Sequence, residues 1–345
     1  MRRTTTHRSV PRAGGDDQVG GSQQFSRRSV LGLAGLAAVA GLAACSSPRS
    51  GESTTVATPA GPSNSPAVSS FDLAGGSNGR APTVALNSGH AMPVAGIGTL
   101  QLDQQQAYDS VTAALAAGVR LIDTAYAYRN EAQVAQAVRD SAVPREDVFL
   151  STKLFPTQFA TAGAAIDGAL ERMGVDYLDM MLLHRTGPFD TTAYHAMERA
   201  MEEGKLRSIG VSNWYREDWE PFLANVSIPP AIVQNENHPT YQDPSLVPYV
   251  HDLGIAYESW YPLGGRGHVA QMLADPTITE LAQSLGRSPA QTILRWNLQR
   301  GVIVIPGSGD PDHIVENISV FDFELSAEQM ETMNALNRDE KFGIF

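Results

Sequence analysis

The chain has 345 residues, 42% of them hydrophobic and 18% charged, which is the composition of an ordinary globular core and excludes a wholly disordered chain. A formal net charge of −12 argues against a nucleic-acid binder, which would normally show a basic face. The single cysteine, Cys45, excludes a disulfide framework and a cysteine-type structural zinc site.

Residues 1–45 read as an export signal. Arg2, Arg3, Arg8 and Arg12 lead to Ser26-Arg27-Arg28-Ser29, and an apolar run follows over residues 30–44. A basic stretch before an apolar core is the build of a secretory signal, and the paired arginines resemble a twin-arginine one. A membrane span takes about 20 apolar residues, whereas this run is shorter and carries Gly32, Gly35 and Gly41. It ends Leu42-Ala43-Ala44-Cys45, which resembles a lipobox. Cleavage before an acylated Cys45, with the protein held on the outer face of the cytoplasmic membrane, is therefore expected. Residues 46–81 are mostly Ser, Thr, Gly, Pro and Ala. Such a segment buries too little surface to offset its conformational entropy, so a disordered linker is expected there.

The folded domain is expected over residues 82–345. Residues 83–94 alternate in polarity around Asn87-Ser88-Gly89, the signature of a β-hairpin. Eight short apolar runs follow, at 94–98, 120–123, 148–153, 178–184, 208–212, 231–236, 256–260 and 302–306. Between them lie segments of helical period, at 104–117, 131–140, 161–172, 192–203, 217–223, 245–253 and 289–299. Gly118, Gly174, Gly204, Gly254 and Gly301 each stand just past a helix end, where a glycine cap belongs. Strands alternating with helices imply a parallel sheet, and eight strands can close it into a (β/α)8 TIM barrel behind the N-terminal hairpin. On pattern alone, an open doubly wound sheet is the runner-up.

In such a barrel the active site lies at the C-terminal strand ends. Those ends carry Asp123, Lys153, His184, Ser212-Asn213, Gln234-Asn235-Glu236, Trp260 and Gly307-Ser308. Each alone has an ordinary explanation, as a turn cap or a core histidine; together at one mouth they suggest a site. Tyr128 lies five residues beyond Asp123, on the loop after the same strand. A phenol titrates near about pH 10, and an adjacent Lys153 ammonium paired to Asp123 is expected to lower that value and make Tyr128 a usable acid. His184 could hold a substrate oxygen beside it. Side chains cannot supply a hydride, so a nicotinamide cofactor is implied.

The motifs "LIDTAYAYRNE", "STKL", "LLH", "GVSNW", "QNENHP", "YPLGG" and "IPGS…HIVEN", in that order over residues 82–345, resemble the aldo-keto reductase family. The resemblance implies reduction of an aldehyde or ketone to an alcohol, with Asp123, Tyr128, Lys153 and His184 as catalytic tetrad and Tyr128 as general acid. It implies that Ser212, Asn213 and Gln234 bind the nicotinamide carboxamide and that Trp260 stacks on the ring where the family usually has tyrosine. Ser308, Glu316 and Asn317 would hold the adenosine end. Where the family usually places a lysine and an arginine on the 2′-phosphate of NADPH, this chain has Gly307 and His313. NADP(H) is therefore the default cofactor, with NAD(H) use plausible.

Tyr126, Phe155, Trp214 and residues 341–345 are expected to line an apolar substrate pocket for a small carbonyl compound. The Gly-x-Gly-x-x-Gly, HExxH and G-x-S-x-G patterns of other enzyme classes are missing from the sequence. The competing class is a nicotinamide-binding module or redox sensor at the cell surface that does not turn over, motivated by the cytoplasmic regeneration of reduced cofactor. A monomer is the default expectation.

Overall fold

The expected hairpin forms in the computed structural model, which describes residues 68–76 and 80–343. Strand β1 (Thr83–Ala85) pairs antiparallel with β2 (Ala91–Pro93), with Val84 opposite Met92. The chain divides into two units, residues 1–59 and 60–345. The first lies outside the described residues, and with it the expected export signal and Cys45.

Eight parallel strands make the main sheet in simple chain order: β3 (Ile97–Gly98), β4 (Leu121–Asp123), β5 (Phe149–Leu154), β6 (Met180–Leu183), β7 (Ile209–Ser212), β8 (Ile232–Glu236), β9 (Ala256–Trp260) and β10 (Val302–Val304). The sheet closes on itself where Ala95 bridges Val304, with Val304 N–H donating to Val94 O at 3.1 Å and Gly96 N–H to Val304 O at 2.9 Å. The architecture is therefore the (β/α)8 barrel.

Side chains alternate across the barrel wall with the period of two that a strand imposes. Leu121, Met180, Leu182, Ile232, Ala256 and Ile303 fill the interior, while Ile122, Met181, Leu183, Val233, Tyr257 and Val302 join the shell beneath the helices. The hairpin plugs the N-terminal end. Leu86 and Met92 join the interior cluster, Asn87 Nδ2 donates to Pro230 O at 2.8 Å, and the hydroxyls of Ser88 and Ser208 lie 2.7 Å apart. The polar strand ends are thus left for the opposite mouth.

The outer ring comprises α1 (Gln104–Ala116), α2 (Glu131–Asp140), α3 (Ala162–Met173), α4 (Asp190–Glu202), α5 (Trp219–Leu223), α6 (Leu246–Asp252), α7 (Val269–Leu273), α8 (Pro276–Leu285), α9 (Pro289–Gln299), α10 (Pro311–Ile318) and α11 (Ala327–Asn334). Helices α1 to α4 pack in sequence and α10 returns against α1, closing the ring. The expected glycine caps all have positive φ; at Gly174 (φ 61°) the backbone N–H turns back to the last carbonyls of α3, a geometry that other residues resist.

One boundary differs from expectation. Residues 68–76, placed by composition in the linker, pack on the barrel: Val68 and Leu73 are buried, and Leu73 opens a 3-10 turn capped by Asp72. The sparse apolar residues of that segment, Val68, Phe71 and Leu73, are the ones that make the contact. Residues 46–67 lie outside the described residues.

Candidate active site

The loop after β4 is rigidly built. Tyr126–Tyr128 forms a 3-10 turn that ends at Arg129 with φ 60°. Asn130 then ties the loop down from within: its Nδ2 donates to Thr99 O at 3.0 Å and Leu102 O at 3.1 Å, while its Oδ1 accepts from Thr124 Oγ1 at 2.8 Å. Tyr128 is thereby fixed above the strand that carries Asp123.

Beneath Tyr128 lies a buried ion pair. Lys153 Nζ is 2.5 Å from Asp123 Oδ2 and donates to Thr124 O at 2.8 Å, and it stands 5.0 Å from the centre of the Tyr128 ring. Burial alone pulls the Lys153 pKa down, but Asp123 and Tyr128 outweigh it and the net shift is upward, so the ammonium stays charged. Tyr128 behaves differently from expectation. Lys153 does pull its pKa down, yet desolvation is larger and pushes it up to about 12. The phenol is therefore firmly protonated at neutral pH.

His184 follows β6, its ring edge-on to Tyr128 at 5.6 Å and edge-on to Phe155 at the same 5.6 Å. Burial first, then the charges of Lys153 and Arg185, push its pKa down to about 3, so it is a neutral imidazole. The four residues expected to act together are brought together.

On the neighbouring strands Asn213 adopts φ 57°, and its Nδ2 donates to His184 O at 2.9 Å and Ser212 Oγ at 3.1 Å. Its buried Oδ1 has no partner among the described residues. Gln234 Nε2 donates to Asp123 Oδ1 at 3.0 Å and to Glu258 Oε2 at 2.9 Å, which leaves its carbonyl oxygen as the end able to accept from a ligand. Unused acceptors on Asn213 and Gln234 beside a donor hydroxyl on Ser212 suit a primary carboxamide, so the residues present fit a nicotinamide.

A cleft of about 270 Å³ runs from Asp123, Tyr128 and Trp260 to Gly307, Ser308 and Gly309. Trp260 forms one wall, edge-on to Tyr261 at 4.8 Å. Arg266, on the loop after β9, also lines the cleft, and its Nη2 donates to Gln101 O at 3.0 Å. Arg266 lies outside the strand ends that the sequence singles out, and its one signal there is the glycine-flanked run Gly264-Gly265-Arg266-Gly267.

Five residues singled out in the sequence lie away from the 270 Å³ cleft. Trp214 is 1% exposed and packs edge-on to Phe222 in the shell, because its backbone N–H and carbonyl are both held by the Asn235 side chain, so it does not face the mouth. Tyr126 and Phe155 line a separate cleft of about 710 Å³ with Arg129 and Arg172. Glu316 accepts a bond from the Ser288 hydroxyl, and neither it nor the largely buried Asn317 lines the 270 Å³ cleft, whereas Ser308 does. Of residues 341–345, the last two lie outside the described residues. Phe342 and Gly343 reach the mouth, their N–H groups donating to the buried Glu236 carboxylate at 2.6 and 2.9 Å. Gly307 and His313 are both exposed, and His313 lies 4.0 Å from Asp310.

Residues 94–338 match the model of the aldo/keto reductase family. The chain is 40% identical to an aldo-keto reductase of Mycolicibacterium smegmatis over 267 residues, covering 76% of this chain and 96% of that one. It is 37% identical to the morphine 6-dehydrogenase of Pseudomonas putida, covering 77% and 94% of the two chains. With the glyoxal reductase of Bacillus subtilis the identity is 39%, over 76% and 95%. Among solved structures, an aldo-keto reductase from a deep-sea metagenome library superposes with a TM-score of 0.73 at 36% identity, covering 76% of this chain and 97% of that one.

Proposed function

The chain belongs to the aldo/keto reductase family and is an oxidoreductase of carbonyl and alcohol groups, and we propose that it reduces an aldehyde or ketone with Tyr128 as proton donor. The observation that carries this reading is the Lys153–Asp123 ion pair at 2.5 Å, set 5.0 Å beneath the Tyr128 ring and beside a neutral His184. When bound, a nicotinamide cofactor supplies the hydride. Everything else falls to the side chains. Tyr128 and neutral His184 offer hydrogens to the carbonyl oxygen, which orients it and stabilises the negative charge that develops there. Tyr128 then gives up its proton to that oxygen. A phenol raised to about 12 is still a stronger acid than an alcohol, so the transfer runs downhill. Lys153 stabilises the phenolate left behind, and Asp123 keeps Lys153 charged and in place. Phe155, edge-on to His184 at 5.6 Å, gives the substrate side an aromatic wall.

Tyr128→Phe is expected to abolish reduction, by at least about 100-fold in kcat, while a fluorescence titration of cofactor binding stays near wild type. Turnover within a few-fold of wild type would remove Tyr128 from the mechanism; normal binding with no turnover in wild type itself would favour a pure binding module. The same titration with NADPH and NADH side by side checks the cofactor. With Gly307 and His313 in place of two cations, two charge-assisted bonds of about 1.5–3 kcal/mol each are missing, so the preference for NADPH should be weak. A preference above about a thousandfold would mean that other residues grip the phosphate. As to location, the same proposal puts the mature protein on the outer face of the cytoplasmic membrane through Cys45.

A further inference from the structure

Glu258 is an anomaly inside the barrel. It is registered with Ile303 on β10 and with Gln234 on β8, and the interior below that level, with Ala256 on its own strand and Leu121 and Ile232 on β4 and β8, is apolar. Glu258 is 1% exposed, and its Oε1 has no partner among the described residues. A carboxyl in such a place destabilises the fold relative to an apolar side chain of the same size. Groups kept at that cost are candidates for a functional role.

The register says which role. Gln234 and Glu258 are paired neighbours on β8 and β9, and Trp260 is the next inward residue on β9. Gln234 Nε2 carries two hydrogens in the plane of its amide. One goes to Asp123 at 3.0 Å and the other to Glu258 at 2.9 Å. A planar amide held at one N–H can still pivot about that bond; held at both, its plane is fixed, and so is the direction of its carbonyl oxygen. We propose that Glu258 is a positioning residue of the nicotinamide site, which fixes the plane of the Gln234 amide and so aims its carbonyl oxygen at the carboxamide of the cofactor. The proposal rests on the nicotinamide reading given above. It adds a fourth member, Glu258, to a continuous buried line from Lys153 through Asp123 and Gln234.

The test separates the nicotinamide from the rest of the cofactor. NADH and ADP-ribose share everything but the nicotinamide, so their dissociation constants are measured in parallel by calorimetry. Glu258→Met keeps the volume and removes the acceptor; it should weaken NADH by about tenfold, the worth of one lost hydrogen bond, and leave ADP-ribose within about twofold. Glu258→Gln keeps an acceptor oxygen for Gln234 and should hold NADH within about threefold of wild type. If the Met variant does not fold, Glu258→Asp, one methylene too short to reach, should show the same selective loss. The proposal is overturned by unchanged NADH binding in the Met or Asp variant, by equal weakening of both ligands, or by a Gln variant as weak as the Met one. If wild-type protein binds NADH no better than ADP-ribose, it is the nicotinamide reading itself that fails, and the positioning role falls with it.

Discussion

At the scale of single residues, burial outweighs pairing in setting the proton affinities of Tyr128 and Glu258, whereas at Lys153 pairing wins. Tyr128 has an ammonium beside it and still ends above its usual value, because the charge it would gain on ionising lies in low-dielectric surroundings. Glu258 follows the same rule: burial first, then the charge of Asp123, carry its pKa up to about 8, against the opposing pull of Gln234 and Lys153. That shift has a consequence for stability. An acid whose folded pKa lies above its unfolded value of 4.5 holds a proton that the unfolded chain has released. Its contribution is therefore most favourable below pH 4.5 and is lost as pH rises towards about 8. Glu258→Gln removes this slope, so the variant should gain on wild type as pH rises through that window, by up to about 1.4 kcal/mol per pH unit. Denaturant melts at pH 5 and pH 8 check it; an equal difference at both values would mean that Glu258 is ionised in the folded protein. Sequence spacing shows Asp123, Lys153 and His184 as polar endings on apolar strands, with Tyr128 on the loop five residues beyond Asp123. It could not show the sign of the Tyr128 shift, because desolvation depends on what the whole barrel packs around the phenol. Glu258 was hidden for a related reason: it lies mid-strand, two residues before the end where polar residues draw the eye.

At the scale of elements, periodicity recovered what each strand and helix faces, and chemistry at the ends recovered where they stop. All eight apolar runs became barrel strands, and α2 and α9 begin and end at the expected residues. Helix α9 shows why: Ser288 accepts from Gln291 N–H while the Gln291 side chain returns to Ser288 N–H, and Pro289 occupies the first turn where its missing N–H does no harm. Four helices went unread. Helices α7 and α8 adjoin without a loop of ordinary length, split where the Asp275 side chain accepts from the N–H groups of Thr277 and Ile278, so their apolar residues look like one irregular stretch. Helix α11 carries its own capping box, Ser326 with Gln329, but its eight residues follow the last strand, where no barrel element was sought. These pieces have a core of their own, in which Met272, Ile278 and Leu281 meet Trp296 of α9 and Met333 of α11. Extra helices of this kind are packing additions to the barrel. Their logic is tertiary, and a local period does not carry it.

At the scale of the molecule, the site and the export proposal are separable. The residues that build the candidate site lie within 97–343, whereas the export proposal concerns residues 1–45. The location rests on sequence alone, where three features converge: the pair Arg27-Arg28, the apolar run 30–44, and the only cysteine of the chain at its end after Leu42-Ala43-Ala44. A twin-arginine route, as that resemblance implies, carries folded proteins, which would let a closed barrel cross with its cofactor already bound. On that proposal, acyl chains on Cys45 would contribute about 0.8 kcal/mol per buried methylene, and two or three of them would hold the protein firmly at a bilayer. Cys45→Ala should therefore shift the protein from the membrane fraction to the soluble one, or leave an uncleaved precursor. Replacing Arg27 and Arg28 by lysines should retain it in the cytoplasm, since a general secretory signal tolerates that exchange and a twin-arginine one does not. Fractionation followed by mass spectrometry of the N-terminus reads both outcomes. Wild-type protein recovered from the cytoplasm with residues 1–45 intact would end the export proposal, and because the chemistry at Tyr128 is assayed on purified protein, that result would leave the reductase reading where it stands.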